Sequence, residues 1–430
     1  MSPAGYFKDS WRRPNSRVEE VGGLELVSDI AQAAEAAKIH ACFFADVVSA
    51  ASLMDGDMKI TGIYEPMTTL AALAARTKHI GLIGSASTSF YDPYNLARLL
   101  SGLDNLSGGR AGWNIVTSWM GNANYGLDEM PSADERYRRA TEFVDVVLKL
   151  WSSWTPDAVI SDRESGNWID TSKVTPINHR GEHFSVSGAL NLRPSPQLRP
   201  LLVQAGQSAA GLDLGSSVAD FIYTLQPDLA KAQEFYAHCK SLAAGKGRDP
   251  EKTYVMPGII PIVGDTAKEA AEISHELGTY INMDHGRSWM TNQHAIDLTD
   301  IDLDECIPEE RFNVNDSRFT SRGRHIMFLA IEKGLTLREV IIEDARGGGH
   351  QWIEGTPQSI ADHMVEWFDS RACDGFNLNP PYLPEGLDKI LKGLVPELQE
   401  RGYFQDEYRG TTLRENLGID LHEQVPSVVA

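Results

Sequence analysis

Residues 79–88 read HIGLIGSAST and residues 110–117 read RAGWNIVT. Each is a short, largely apolar run that closes on small hydroxyl- or amide-bearing side chains, the pattern of a buried strand with a polar exit. The pattern recurs outward in both directions. HACFFAD (40–46) ends in a carboxylate, and LLVQAG (201–206), DFIYT (220–224), VMPGIIPIVG (255–264) and CDGFNLN (373–379) follow; a first strand is expected near Gly5–Lys8. After RAGWNIVT, the stretch DERYRRATEFVDVVLKLW (134–151) has helical spacing, with Ala140, Phe143, Val144, Val147 and Leu150 on one face. Strands separated by helices imply parallel pairing through right-handed crossovers. Eight such units close into an α/β TIM (β/α)8 barrel more naturally than into an open sheet. Pattern alone leaves a doubly wound sheet open, because periodicity does not give strand order.

Two intervals break the rhythm of this expected single domain, 1–430. The stretch 153–200, rich in Asp, Ser, Asn, Gly and Pro, extends the loop between the fourth and fifth strands. The stretch 278–355 is a longer insertion with an acidic run at 297–310 and three glycines at 347–349. Long insertions in compact domains usually serve as lids or contacts between subunits. The segment RGGGH (346–350) reads as a hinge or, by a small margin, a plain connector.

The 430 residues contain 60 acids and 39 bases, a formal charge of −21, with 42 % hydrophobic and 23 % charged residues. That is an ordinary globular composition, and its acidity argues against non-specific nucleic-acid binding, which needs a positive footprint. The four cysteines, Cys42, Cys239, Cys306 and Cys373, are widely spaced with no C-x-x-C pair, so neither a zinc site nor a disulfide framework is indicated. The opening MSPAGYFKDSWRRP has no apolar core of a signal peptide, and no stretch is long and apolar enough for a membrane span. A cytoplasmic protein that binds neither membrane nor nucleic acid is expected.

In a TIM barrel the site lies at the C-terminal ends of the strands. Asp46, Ser85, Ser87, Thr88, Asn114, Thr117, Gln204, Gly206 and Ser208 fall at such exits. The segment QAGQSAAG (204–211) follows a strand and opens a helix; it is either a tight βα turn or a place where small residues and the Ser208 hydroxyl receive a phosphate. Tyr137 is either an ordinary packing residue or a hydroxyl that reaches a ligand. His179 and His183 are four apart but flank Arg180, Gly181 and Glu182, so no helical H-E-x-x-H exists, and no metal is expected. His325, His350 and His363 are scattered. Neither a G-x-S-x-G elbow nor a phosphate-loop motif is present, which lowers hydrolase and NTPase readings.

One segment carries a family resemblance. SGGRAGWNIVTS (107–118) closely resembles the bacterial luciferase-like flavin-dependent monooxygenase superfamily, in the group of nitrilotriacetate monooxygenase component A. Supporting stretches span the chain: FFAD (43–46), SASTSFYDPYNLAR (85–98), DERYRRATEFVDVVLKLW (134–151), GEHFSVSGALNLRPSPQLRPLLVQAGQS (181–208), GTPQSIADHMVEWFDSRACDGFNL (355–378) and VPELQERGYFQDEYRGTTLRENLGI (395–419). The resemblance implies a TIM barrel carrying reduced FMN, supplied by a separate NAD(P)H:flavin reductase, with O2 as co-substrate. A flavin C4a-hydroperoxide would then oxygenate a small-molecule substrate. It also implies a homodimer or homotetramer.

Carried over by motif, Asp46 lies beside the flavin, Ser85 stands where relatives often have Thr, and Asn114 sits under the isoalloxazine. Tyr137 and Ser208, with the Gly206 backbone, bind the ribityl phosphate end. The cofactor would carry the hard chemistry, in a pocket kept dry, so no protein nucleophile or metal is required and no catalytic residue is assigned. The chain departs from the pattern at Ala133, where many relatives have His, and at Trp119 and Met120, where several have polar residues or His. The bulky pair suggests an apolar or aromatic pocket wall. Two rivals stand beside this reading. One is a deazaflavin-dependent dehydrogenase or reductase of the same superfamily. The other, a flavin-storage scaffold, is disfavoured by the intact Asp46, Tyr137 and Ser208.

Overall fold

The buried apolar runs become parallel strands wrapped by helices. The computed structural model describes residues 4–50, 64–226, 228–316, 318–319 and 321–419. Its main sheet has eight strands: β1 (Ala41–Phe44), β2 (Gly81–Ser87), β3 (Ala111–Val116), β4 (Leu201–Gln204), β5 (Phe221–Thr224), β6 (Tyr254–Val263), β7 (Gln351–Gly355) and β8 (Asn377–Leu378). Consecutive strands from β1 to β7 pair parallel, and β8 also pairs with β6. The register steps along the sheet, with Ala41 opposite Gly81, Leu82 opposite Ala111 and Gly112 opposite Leu201, the stagger that accompanies tilted barrel strands. Phe43 of β1 stacks on Tyr223 of β5 with ring centroids 6.2 Å apart, so strands distant in the sheet face one another across its interior. The fold is a TIM barrel.

The interior is filled below by Ile83, Leu201, Val203 and Phe221, and the C-terminal segment closes it with Leu413, Leu417 and Ile419. Buried charges tie that plug in place. Asp220 accepts two bonds from Arg199 (2.9 and 3.0 Å), two from Arg414 (3.2 and 3.2 Å) and one from the Leu202 N–H (2.8 Å). The helix Ala133–Trp151 covers β3 and β4 with the face read from its spacing, since Ala140, Phe143, Val144, Val147 and Leu150 are all 0 % exposed. Burying each of the larger side chains contributes about 1.5–3 kcal/mol. Ser132 caps the helix by accepting the Glu135 N–H.

The eighth strand is not where the sequence reading places it. Residues 5–8 form no ladder: the N–H groups of Tyr6 and Phe7 donate to the carbonyls of Pro380 (2.7 Å) and Pro381 (3.0 Å). Gly5 takes a φ of +128°, outside the extended region, and that ends any strand there. The strand not read from the sequence is β7, which pairs with β6. Its sequence, QWIEG, is only partly buried and carries Gln351 and Glu354, so it lacks the apolar run that marks the other strands. The barrel therefore resumes at Gln351, inside the interval read as insertion. Gly348, at φ +54°, ends the helix Leu337–Gly347 and turns the chain toward β7, so the glycines serve as a connector.

Within 153–200 lie two small antiparallel hairpins, Val159–Asp162 with Asn167–Ile169 and His179–Arg180 with Ser185–Val186. Glu142, buried on the helix Ala133–Trp151, clamps the second by accepting the N–H groups of His183 (2.8 Å) and Phe184 (2.9 Å). The interval after residue 278 forms helices around a separate apolar cluster that includes Met290, Ile296, Ile326 and Val340.

Asp104, fully buried, accepts the Ala111 N–H (2.8 Å) and the Gln197 amide (2.6 Å), yet burial pushes its carboxyl up from 3.8 to about 6. A carboxyl raised in the folded state holds its proton where the unfolded chain has lost it, so stability is lost as pH rises from about 4 and the loss is complete above about 6. Asp104→Asn is accordingly expected to be more stable than the natural chain by about 3 kcal/mol at pH 8 and nearly equal to it at pH 4. Urea unfolding at the two pH values checks this; a gain independent of pH contradicts it.

Candidate functional site

The C-terminal ends of β2 and β3 place Ser85 and Asn114 directly opposite one another in register. The Asn114 amide donates to the Ser85 Oγ at 2.8 Å, and the two residues are 2 % and 4 % exposed. Asn114 Oδ1 is buried with no hydrogen-bond partner. A buried amide oxygen left unpaired costs free energy, so this atom fits a group that brings a donor, such as the N–H edge of a heterocycle. Ser87 and Thr88 differ. The Ser118 hydroxyl bonds Ser87 (2.7 Å), and Thr88 donates to the Val116 carbonyl, so both are used in tying the strand exits together.

Asp46 follows β1 and is half-buried. Desolvation, and then the charge of Glu65, hold its carboxyl above the ordinary value. Around it the loop 117–128 approaches the loop after β1, the Asn124 amide donating to the Val48 carbonyl at 2.9 Å. Phe90 and Tyr125 stack with centroids 4.1 Å apart, and Trp119 is 39 % exposed beside the half-buried Met120.

At the exit of β4 the chain turns sharply into the helix Ala209–Val218. Ser208 is the N-cap and accepts the Gly211 N–H at 3.1 Å. The Tyr137 hydroxyl, brought by the helix Ala133–Trp151, lies 3.4 Å from the Ser208 Oγ. Glycine at 206 leaves room for these side chains. A Cβ there would sit 2.6 Å from Gln204 Nε2, 2.9 Å from the Tyr137 hydroxyl and 3.1 Å from the Gly211 Cα. Two hydroxyls and the open end of a helix thus converge on one corner beside the Gly206 backbone, whose own N–H goes to Gln204 Oε1 (2.6 Å), and the hydroxyls and helix end are donors of the kind an anion such as phosphate needs. The structure therefore brings Tyr137, Gly206 and Ser208 together at one corner and pairs Ser85 with Asn114 at another.

Sequence reasoning missed one part of the cavity. Tyr223 points inward from β5, with its hydroxyl 2.9 Å from His350 Nε2, and Tyr6 lies edge-on to the same imidazole at 4.9 Å. His350 stood among scattered histidines because its partners come from strands far away in sequence; the one available signal was a polar ring inside the otherwise apolar DFIYT. Among the described residues no group of three or more His, Cys, Asp or Glu could hold a metal ion, and no helix is long and apolar enough to cross a membrane.

A barrel with these polar strand exits bears comparison with known enzymes of this architecture. Residues 8–372 match the luciferase-like monooxygenase family, and the chain belongs to it. It is 41 % identical over 426 residues to N-acetyl-S-(2-succino)cysteine monooxygenase of Bacillus subtilis (strain 168), covering 98 % of this chain and 95 % of that one. It is 38 % identical over 431 residues to nitrilotriacetate monooxygenase component A of Aminobacter aminovorans, covering 97 % and 94 %. The crystal structure of DmoA from Hyphomicrobium sulfonivorans superposes with a TM-score of 0.85 at 32 % identity, over 99 % of this chain and 91 % of that one. The protein is thus a flavin-dependent monooxygenase, and the reading as an oxygenase component prevails over the deazaflavin alternative. An F420-dependent secondary alcohol dehydrogenase shares the barrel at a TM-score of 0.57, but at 15 % identity that likeness concerns the fold alone.

Proposed function

We propose that the barrel mouth binds reduced FMN, delivered by a separate NAD(P)H:flavin reductase, and oxygenates a small organic molecule with O2. The observation that carries this reading is the corner formed by Tyr137, Gly206 and Ser208 after β4, together with the unpaired Asn114 Oδ1 on the neighbouring strand β3. In this reading Ser208 and Tyr137 donate hydroxyl protons to the phosphate, and the Gly206 backbone lies against it. Asn114, steered by Ser85, offers its free carbonyl to the isoalloxazine edge, and Asp46 borders the ring. When bound, the reduced flavin activates O2 and passes one oxygen atom to the substrate. The protein's work is to orient the ring, hold the phosphate and keep water out.

The chain acts as one domain in this reading, because β7 and β8 return to the same sheet after the insertion. It works in the cytoplasm, where NAD(P)H-driven reductases operate, and assembles as a homodimer or homotetramer. The outward face of the helix Pro93–Ser107 supports assembly, exposing Leu99 (48 %) and Leu106 (76 %).

The test is anaerobic titration with reduced FMN. The natural chain is expected to bind it, and Tyr137→Phe with Ser208→Ala to bind about 10–100-fold more weakly, as expected for lost hydrogen bonds to a charged group. Equal affinity in the double variant, or no binding by the natural chain, overturns the assignment.

A further inference from the structure

Side chains alternate along β5. Ile222 and Thr224 are 0 % and 1 % exposed, whereas Tyr223 between them is half-buried and stacks on Phe43 across the barrel. Four chain segments meet around Tyr223 and His350. The Tyr223 hydroxyl lies 2.9 Å from His350 Nε2, with the polar side chains of Asn377 and Asn379 close enough to act on it. Tyr6 contacts the far side of the imidazole. The imidazole fits only because residue 258 is glycine: a Cβ there would lie 2.1 Å from His350 Nδ1. All five residues keep part of their surface exposed, so they are not packed core.

This wall is polar and uncharged. Burial holds the His350 imidazole down at about 3, so it is neutral at physiological pH, and burial pushes the Tyr6 phenol up to about 12. The full charges acting on Tyr6, Arg322 and Asp344, neutralise one another through bonds of 2.8 and 3.0 Å. A phenol, an imidazole and two carboxamides retain donors and acceptors for a ligand. A bare hydrocarbon placed against them leaves those groups unpaired, and a carboxylate finds no counter-charge in the wall.

We propose that this wall selects a substrate carrying an uncharged hydrogen-bond donor (an amide N–H or a hydroxyl), with Tyr223 accepting from that group and His350 positioning Tyr223. The proposal rests on the flavin reading above.

Three thioethers of matched size test it: methylthioacetamide, methylthioacetate and isobutyl methyl sulfide, assayed for sulfoxide formation with reduced FMN and O2. The amide is expected to be favoured in kcat/KM by about 10-fold or more over the other two, since a site built to hydrogen-bond a group rejects analogues lacking it. Tyr223→Phe should lower that preference to about 3-fold or less at unchanged reduced-FMN affinity. His350→Gln, which keeps an acceptor for the phenol, should retain the preference, and His350→Phe should lose it as Tyr223→Phe does. Where His350→Phe does not fold, Tyr223→Phe beside His350→Gln decides. No preference for the amide in the natural chain, no sulfoxide from any of the three, or a preference untouched by Tyr223→Phe overturns the proposal. Failure of the natural chain to bind reduced FMN defeats the flavin reading instead, and intact binding without amide preference defeats only the wall.

Discussion

Asp220→Ala is expected to lose about 3–5 kcal/mol of unfolding free energy, the largest stability effect of any single polar substitution in the barrel. The carboxylate is 0 % exposed and holds two buried guanidinium groups, Arg199 at 11 % and Arg414 at 0 % side-chain exposure. Removing it leaves both cations in the interior without their counter-charge, and the Leu202 N–H without its acceptor. The effect reaches beyond β5, because Arg414 belongs to the C-terminal segment that closes the barrel floor with Leu413 and Ile419. Burial alone would raise the Asp220 carboxyl, but the Arg199 and Arg414 charges outweigh it and hold the group well below the ordinary range. A depressed carboxyl stabilises the fold above its unfolded value of about 3.9 and gives that contribution up as pH falls further. The penalty of Asp220→Ala should therefore be full at pH 7 and shrink below about pH 4. Urea denaturation across pH provides the measurement. A loss under about 1 kcal/mol at pH 7 would show that the buried triad is neutral to stability.

Gly206→Val is expected to weaken reduced-FMN binding by about 100-fold or more while leaving the barrel folded, since the side chain would occupy the space a phosphate needs and not the core. The first added carbon already meets Gln204 Nε2 at 2.6 Å and the Tyr137 hydroxyl at 2.9 Å, closer than unforced contacts allow. Both neighbours end flexible side chains, so the strain can be relieved by moving them, and moving them dismantles the corner. Gly206→Ala should show a smaller loss of the same kind. Circular dichroism separates this from unfolding, and fluorescence titration of the reduced flavin reads the affinity. A Gly206→Val chain that binds reduced FMN normally would relocate the phosphate.

The two expected results differ in how much of their basis could be read from the sequence. QAGQSAAG after a strand already suggests a place where backbone and hydroxyl meet a phosphate, because small residues and an N-cap serine are local signals. Asp220, Arg199 and Arg414 give no such signal. They are 21 and 194 residues apart along the chain from Asp220, and only closure of the barrel brings them together. The same holds for Tyr223 and His350, separated by 127 residues. The strand at 351–355 escaped for a different reason, since a half-exposed edge with Gln and Glu does not form an apolar run.

By itself the sequence determined the alternation of buried strands with helices, the covering face of the helix 133–151 and the polar strand exits, because these follow from residue periodicity and from short motifs whose physics is local; the closure into a barrel came from the family resemblance and the structure. Only the tertiary structure decided which polar groups are paired and which are left facing the cavity: Asn114 Oδ1 without a partner, Ser87 and Thr88 already engaged, Tyr223 locked to His350. Hydrogen-bond satisfaction is a property of three-dimensional neighbours, and the barrel draws those neighbours from strands far apart in the chain.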